Sequence, residues 1–129
     1  MNTFRRSLLS RSTLLAISTG AISASSLAAT PWSETAGAVL DVTSSYSSNV
    51  AKDYPLYAEG ANSVLQTTSP FLNFVSTGNN LFTAYAKNGG SINVNQGILS
   101  SNGNLAHTVN LVGGNLNMTG GVINTAGTN

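Results

Sequence analysis

Gly89-Gly90-Ser91-Ile92-Asn93-Val94 recurs 24 residues later as Gly113-Gly114-Asn115-Leu116-Asn117-Met118. At the same offset Gly97-Ile98-Leu99-Ser100-Ser101 recurs as Gly121-Val122-Ile123-Asn124-Thr125, and Gly103 maps onto Gly127. Within each copy Ile92 and Val94 alternate with Asn93 and Asn95, and Leu116 and Met118 alternate with Asn117. A period of two belongs to a strand with one apolar and one polar face. Glycines at 89–90, 97, 103, 113–114, 120–121 and 127 mark the corners between strands. Strands this short bury too little to hold themselves, so the copies must stack. Stacking puts Ile92 over Leu116, Val94 over Met118, Ile98 over Val122 and Leu99 over Ile123, which predicts continuous apolar columns. The expected fold is all-β, a parallel β-helix (β-solenoid) in which each strand pairs with its equivalent one coil away.

Upstream lies a looser copy. Tyr57-Ala58 aligns with Tyr85-Ala86 at an offset of 28, Asn62-Ser63-Val64 with Gly90-Ser91-Ile92, and Ser76-Thr77-Gly78-Asn79 with Ser101-Asn102-Gly103-Asn104. Residues 55–129 thus predict about three coils. Residues 29–54 are expected to be a leader and N-terminal cap, with Gly37-Ala38-Val39-Leu40-Asp41-Val42 as one apolar strand and Trp32 in the leader or over the first coil. The last coil, ending in mid-repeat at Asn129, is expected to be open. An uncovered edge carrying little charge invites self-association.

The first residues carry Arg5, Arg6 and Arg11 and no acid, and Ser12 to Ser33 carry no charge. Leu14-Leu15-Ala16-Ile17 opens an apolar stretch that leaves through Ser26-Leu27-Ala28-Ala29. A basic start, an apolar middle and a small-residue exit are the parts of a secretory signal peptide, here residues 1–28, cut between Ala28 and Ala29. Phe4-Arg5-Arg6-Ser7-Leu8-Leu9 also partly matches a twin-arginine signal, so the export route stays open. An uncleaved anchor suits the segment poorly, because Ser18, Thr19, Gly20, Ser23, Ser25 and Ser26 dilute its apolar character. Beyond residue 28 the charges are Lys52 and Lys87 against Glu34, Asp41, Asp53 and Glu59, a net of −2. The apparent basicity belongs to the leader.

The Tyr-Ala-x(2–3)-Gly-x-Ser-[Val/Ile] and Gly-Gly-x-[Ile/Leu]-Asn-[Val/Met] units, with Asp53-Tyr54-Pro55-Leu56-Tyr57-Ala58 as a lead-in, resemble the pertactin-like passenger regions of bacterial autotransporter adhesins over about residues 37–129. The resemblance implies a right-handed parallel β-helix, displayed at the outer membrane or secreted through a C-terminal β-barrel, and periplasmic where that translocator is absent. It implies adhesion or surface display toward a host-surface or carbohydrate ligand. Such passengers run to hundreds of residues and end in a barrel of alternating, aromatic-girdled strands. No aromatic residue follows Tyr85, so the chain reads as an N-terminal passenger fragment, touching a membrane only through export or a missing barrel.

Composition narrows the chemistry. Ser, Thr, Asn and Gly make up 61 of 129 residues, while 7% are charged, against about 25% in ordinary domains. Cysteine is absent, which excludes disulfides and thiol chemistry. A lone imidazole, His107, placed by the pattern at a corner between coils, cannot build a zinc site. Residues 60–129 contain no Asp, unlike the glycine repeats that bind calcium. Glycine runs lack the Lys-Ser/Thr of a phosphate loop, and basic residues do not cluster beyond Arg11, so nucleotide and nucleic-acid binding find no support. No acid follows Glu59, whereas carboxylate-based hydrolysis needs paired acids. The expectation is no enzyme and no cofactor. Candidate ligand-facing or ladder residues are Asn93, Asn95 and Asn117, as stacked amides or a sugar-bonding face, and Tyr57 and Tyr85, as core, lateral wall or aromatic platform. The alternatives are a self-assembling solenoid of a biofilm or structural matrix, and a remnant of a carbohydrate-active β-helix enzyme.

Overall fold

A computed structural model describes residues 31–128. The expected signal peptide and its expected cut between Ala28 and Ala29 lie outside the described residues. Twelve short strands follow one another: β1 (Trp32–Glu34), β2 (Val39–Val42), β3 (Tyr46–Ser48), β4 (Leu56–Glu59), β5 (Val64–Thr67), β6 (Asn73–Ser76), β7 (Phe82–Lys87), β8 (Ser91–Asn95), β9 (Ile98–Ser101), β10 (His107–Val112), β11 (Asn115–Thr119) and β12 (Val122–Thr125). Every third strand stacks on the last. The result is three four-stranded parallel sheets, β1-β4-β7-β10, β2-β5-β8-β11 and β3-β6-β9-β12. The protein is a parallel β-solenoid of four coils.

The count exceeds the expected three because Trp32–Ser48 supplies a complete coil. Trp32 pairs with Leu56, Val39 with Val64 and Tyr46 with Phe74, so the segment expected as leader and cap carries the same three-strand layout. Between β8–β9 and β11–β12 the pairing follows the 24-residue repeat: Ile92 on Leu116, Val94 on Met118, Ile98 on Val122, Leu99 on Ile123. One coil earlier the register shifts. Leu65, not Val64, pairs with Ile92. A slip of one residue exchanges the two faces of a strand; Leu65 is buried and Val64 is not.

The interior follows from these registers. Leu65 and Ile92 project inward from the second sheet, Leu56 and Ala84 from the first, Phe74 and Leu99 from the third, all fully or almost fully buried. Leu116 and Met118 extend the second-sheet column, and Trp32 and Tyr46 pack against the core at the first coil. Ile98 and Val122 do not belong to it. Ile98 pairs with Val122 on one side and Asn73 on the other, on the outside, and the two are 41% and 53% exposed, so the apolar column through β9 and β12 is Phe74–Leu99–Ile123 alone.

Beside the apolar column of the third sheet, a polar column also faces inward. Ser48, Ser76 and Ser101 are buried in register, and Thr125 completes the row. Each serine finds a partner on the next stretch of chain: Ser48 Oγ donates to Asp53, Ser76 bonds Thr83 (2.8 Å) and Ser101 bonds Thr108 (2.9 Å). Thr83 then donates to the Ser100 carbonyl (2.6 Å) and Thr108 to that of Asn124 (2.8 Å). Among the described residues no buried side-chain polar atom lacks a partner, which is what makes a hydroxyl-lined interior tolerable.

Corners turn through left-handed residues, singly or as adjacent pairs such as Asn88-Gly89 and Gly120-Gly121. Lys52, Asn80 and Leu105 occupy the same corner in successive coils, with φ of 65°, 56° and 53°. Glycines serve a second purpose where coils touch: a Cβ on Gly103 would stand 2.4 Å from the Gly78 carbonyl oxygen, and one on Gly127 would stand 2.1 Å from that of Gly103.

Candidate functional site

Two outward faces gather the residues that sequence reading singled out. On the first sheet, alternation sends Tyr57 and Tyr85 away from the core while Leu56, Ala58, Ala84 and Ala86 fill it. Register stacks Ser33, Tyr57, Tyr85 and Asn110 into one outer column. The tyrosines are therefore lateral wall, not core. Their rings lie 5.5 Å apart between centroids.

Two further rings complete the wall. Tyr54, on the β3–β4 connection, stacks on Phe82 (5.7 Å, interplanar angle 18°) and meets Tyr85 edge-on at 5.1 Å. It also sits 5.8 Å from Tyr57, and Phe82 lies 5.3 Å from Tyr85. Such offset and edge-on geometries are the favourable ones for aromatic pairs. Sequence reading missed Tyr54 and Phe82, although a signal was present: Tyr54-x-x-Tyr57 and Phe82-x-x-Tyr85 share both spacing and the 28-residue offset. His107 opens β10, exposed, 6.0 Å from Phe82.

At one end of the wall stands the single ion pair among the described residues, Lys87 Nζ to Glu59 at 3.2 Å. The same ammonium lies 5.8 Å from the Tyr57 ring centroid and 5.9 Å from that of Tyr85. Glu59 also accepts from the Tyr57 hydroxyl and from Asn88 Nδ2 (3.1 Å). The Tyr57 bond, followed by Lys87, holds the Glu59 carboxyl below its usual range. Burial first, then the Glu59 bond, raises the Tyr57 hydroxyl. Lys87 is raised by its contacts with Tyr57 and Glu59. At the other end a depression of about 260 Å³ is lined by Pro31, Ser33, Lys52, Tyr54 and Tyr57.

The second face lies on the outside of the second sheet. Asp41, Gln66, Asn93 and Asn117 form one polar column by register. Gln66 Nε2 donates to Asp41 (2.7 Å), and Asn117 Nδ2 donates to Asn93 (2.9 Å). Asn93 and Asn117 are thus a stacked amide pair. Asn95 belongs to the neighbouring column, level with Thr119, and its backbone N–H donates to Thr67 Oγ1 (2.8 Å). Between the columns runs an open groove of about 380 Å³ lined by Gln66, Thr67, Thr68, Asn93, Val94, Asn95, Asn117 and Thr119.

The carboxylates of the described residues are spoken for. Asp53 accepts from the Tyr46 and Ser48 hydroxyls, Glu34 from the backbone N–H groups of Ala36 and Ala38, Asp41 from Gln66, and Glu59 from Tyr57 and Lys87. Among the described residues no three His, Asp or Glu side chains stand close enough to share a metal ion. What the two faces offer chemically is aromatic stacking and amide or hydroxyl hydrogen bonding.

No protein-family model, curated protein or solved structure matches the chain. The class of the protein is set by its own coil architecture: a parallel β-solenoid with an aromatic wall on one outer face and an amide-and-hydroxyl groove on the next.

Proposed function

We propose that the chain is an exported, non-catalytic surface protein of the autotransporter-passenger kind, which acts in adhesion or display through the side walls of its solenoid. The observation that carries this reading is the outward placement of Tyr54, Tyr57, Phe82 and Tyr85. Four half-buried rings are held outside a core that Leu, Ala and Phe already fill. Aromatic side chains gathered outside the core are a recurrent feature of recognition surfaces. The engaged carboxylates favour binding over acid–base chemistry.

Export is tested by expressing the full chain in a Gram-negative bacterium and determining the N-terminus of the recovered product. A product beginning at Ala29 outside the cytoplasm is expected; an intact Met1 retained in the cytoplasm overturns the reading. Adhesion is tested by the attachment of beads coated with the exported chain to cultured cells, with heat-unfolded chain as control.

A second reading, a solenoid that assembles into a matrix, is favoured by a different observation. Ile123 stands at the head of a core column and is 52% exposed, with Leu111 at 46% on the neighbouring sheet. Such an end accepts a further coil or another copy.

A further inference from the structure

The depression beside the aromatic wall has a chemistry of its own. Tyr54 and Tyr57 supply apolar ring surface, Ser33 a hydroxyl, and Lys52 the single charge among the described residues of its lining. Lys52 is exposed and makes no ion pair among the described residues, whereas Lys87 is held by Glu59. Neighbouring Asp53 makes no ion pair with it; that carboxylate accepts from the Tyr46 and Ser48 hydroxyls. Lys52 also sits in the left-handed region, where the next coil uses Asn80. Asn tolerates that conformation better than a long side chain, so the corner itself does not call for lysine.

Resting on the reading of the solenoid wall as a binding surface, we propose that this depression binds a uronic-acid pyranose of an acidic polysaccharide. A pyranose presents C–H faces that lie on tyrosine rings and a rim of hydroxyls that Ser33 can meet. A carboxylate at its edge would pair with the Lys52 ammonium in a charge-assisted contact. At about 260 Å³ the depression falls below the roughly 300–1,000 Å³ of drug-sized sites, a scale suited to one sugar ring.

The test is an amide chemical-shift titration of the full chain, purified as the cell delivers it, with methyl glucuronide and with methyl glucoside. These ligands share a ring and differ at the carboxylate. Shifts centred on Ser33, Lys52, Tyr54 and Tyr57, with the glucuronide binding more tightly, are expected. Lys52→Asn should weaken glucuronide roughly tenfold and leave glucoside unchanged. Tyr54→Leu should weaken both, with far-UV circular dichroism confirming that each variant keeps its strands. Equal binding of the two sugars, shifts centred elsewhere, or no shifts overturn the proposal. Hyaluronan and oligogalacturonate fragments then distinguish an animal-matrix from a plant-type source, and a shift of these same amides by either supports the site. If glucuronide fails to bind while coated beads still attach to cells, the site falls and the surface reading stands. If the chain stays in the cytoplasm, the surface reading falls and the titration decides the site alone.

Discussion

Tyr46 donates its hydroxyl to Asp53 at 2.6 Å, inside the turn that leads from the first coil to the second. Burial, and then the adjoining Asp53 carboxylate, push the tyrosine pKa up to about 12 from its ordinary 10.0. The folded state therefore holds this proton more tightly than the unfolded chain does. The associated stability is fully present below pH 10 and is lost as pH rises toward about 12. Urea melts of the native chain between pH 9 and 12 should show this decline, and Tyr46→Phe, weaker at neutral pH, should show less of it. An equal alkaline slope in both would remove Tyr46 as the cause. Leu105 makes the opposite kind of contribution. It holds a left-handed conformation (φ 53°) with 55% of its surface exposed, so it bears the strain and recovers little by burial. Leu105→Asn, which copies Asn80 one coil earlier, is expected to raise stability by about 1 kcal/mol, read as a higher urea midpoint at constant slope.

Among elements, the corners where coils touch are less forgiving than the strands. A Cβ on Gly103 would meet the Gly78 carbonyl oxygen at 2.4 Å, a backbone atom that cannot rotate away. Gly103→Ala should cost about 1–3 kcal/mol through forced separation of the coils, measurable in the same urea melts. A neutral result would mean that the corner yields easily. The same elements show what could be read from the sequence. The later coils were legible because the Gly-Gly corners recur at a constant 24 residues and the strands alternate cleanly. The second coil was legible only loosely and the first not at all, because the corners differ in length: Trp32 to Leu56 spans 24 residues, Leu56 to Ala84 spans 28 and Leu65 to Ile92 spans 27. With variable corners, alignment by residue type set Val64 over Ile92 and left Trp32–Ser48 outside the coils. Ile98 and Leu99 are chemically alike, so the sequence could not say that one faces out. The buried row of Ser48, Ser76 and Ser101 escaped notice because its members resemble ordinary surface serines; their inward position follows from register. Of the candidate site, the Tyr57–Tyr85 column and the Asn93–Asn117 pair were readable as aligned repeats. Tyr54 and Lys52 were not, since a connection brings them there.

At the scale of the whole molecule, a solenoid is stabilised by nearest-neighbour stacking, and its end coils have one neighbour instead of two. The consequence is visible in burial. In the third sheet's apolar column Phe74 and Leu99 are fully buried, while Ile123, in register above Leu99, is 52% exposed. Among the described residues nothing pairs with strands β10–β12 on the side away from β7–β9, and no Asp, Glu, Lys or Arg follows Lys87 to repel a neighbour. Adding another coil there would bury apolar surface and satisfy backbone in one step. A contact between this end and a different surface of the next copy is heterologous, and heterologous contacts extend rather than close unless their rotation returns to the start. The purified chain is therefore expected to show a weight-average mass that rises with concentration in sedimentation equilibrium. Ile123→Lys should shift that equilibrium toward monomer, because it sets a charge at the centre of the new contact. Its cost to the fold is limited by the exposure Ile123 already has, and circular dichroism of the dilute variant checks that the strands persist. A native chain that stays monomeric across the concentration range and melts in one sharp transition would show that the last coil is stable uncovered, and self-assembly through this end would then be ruled out.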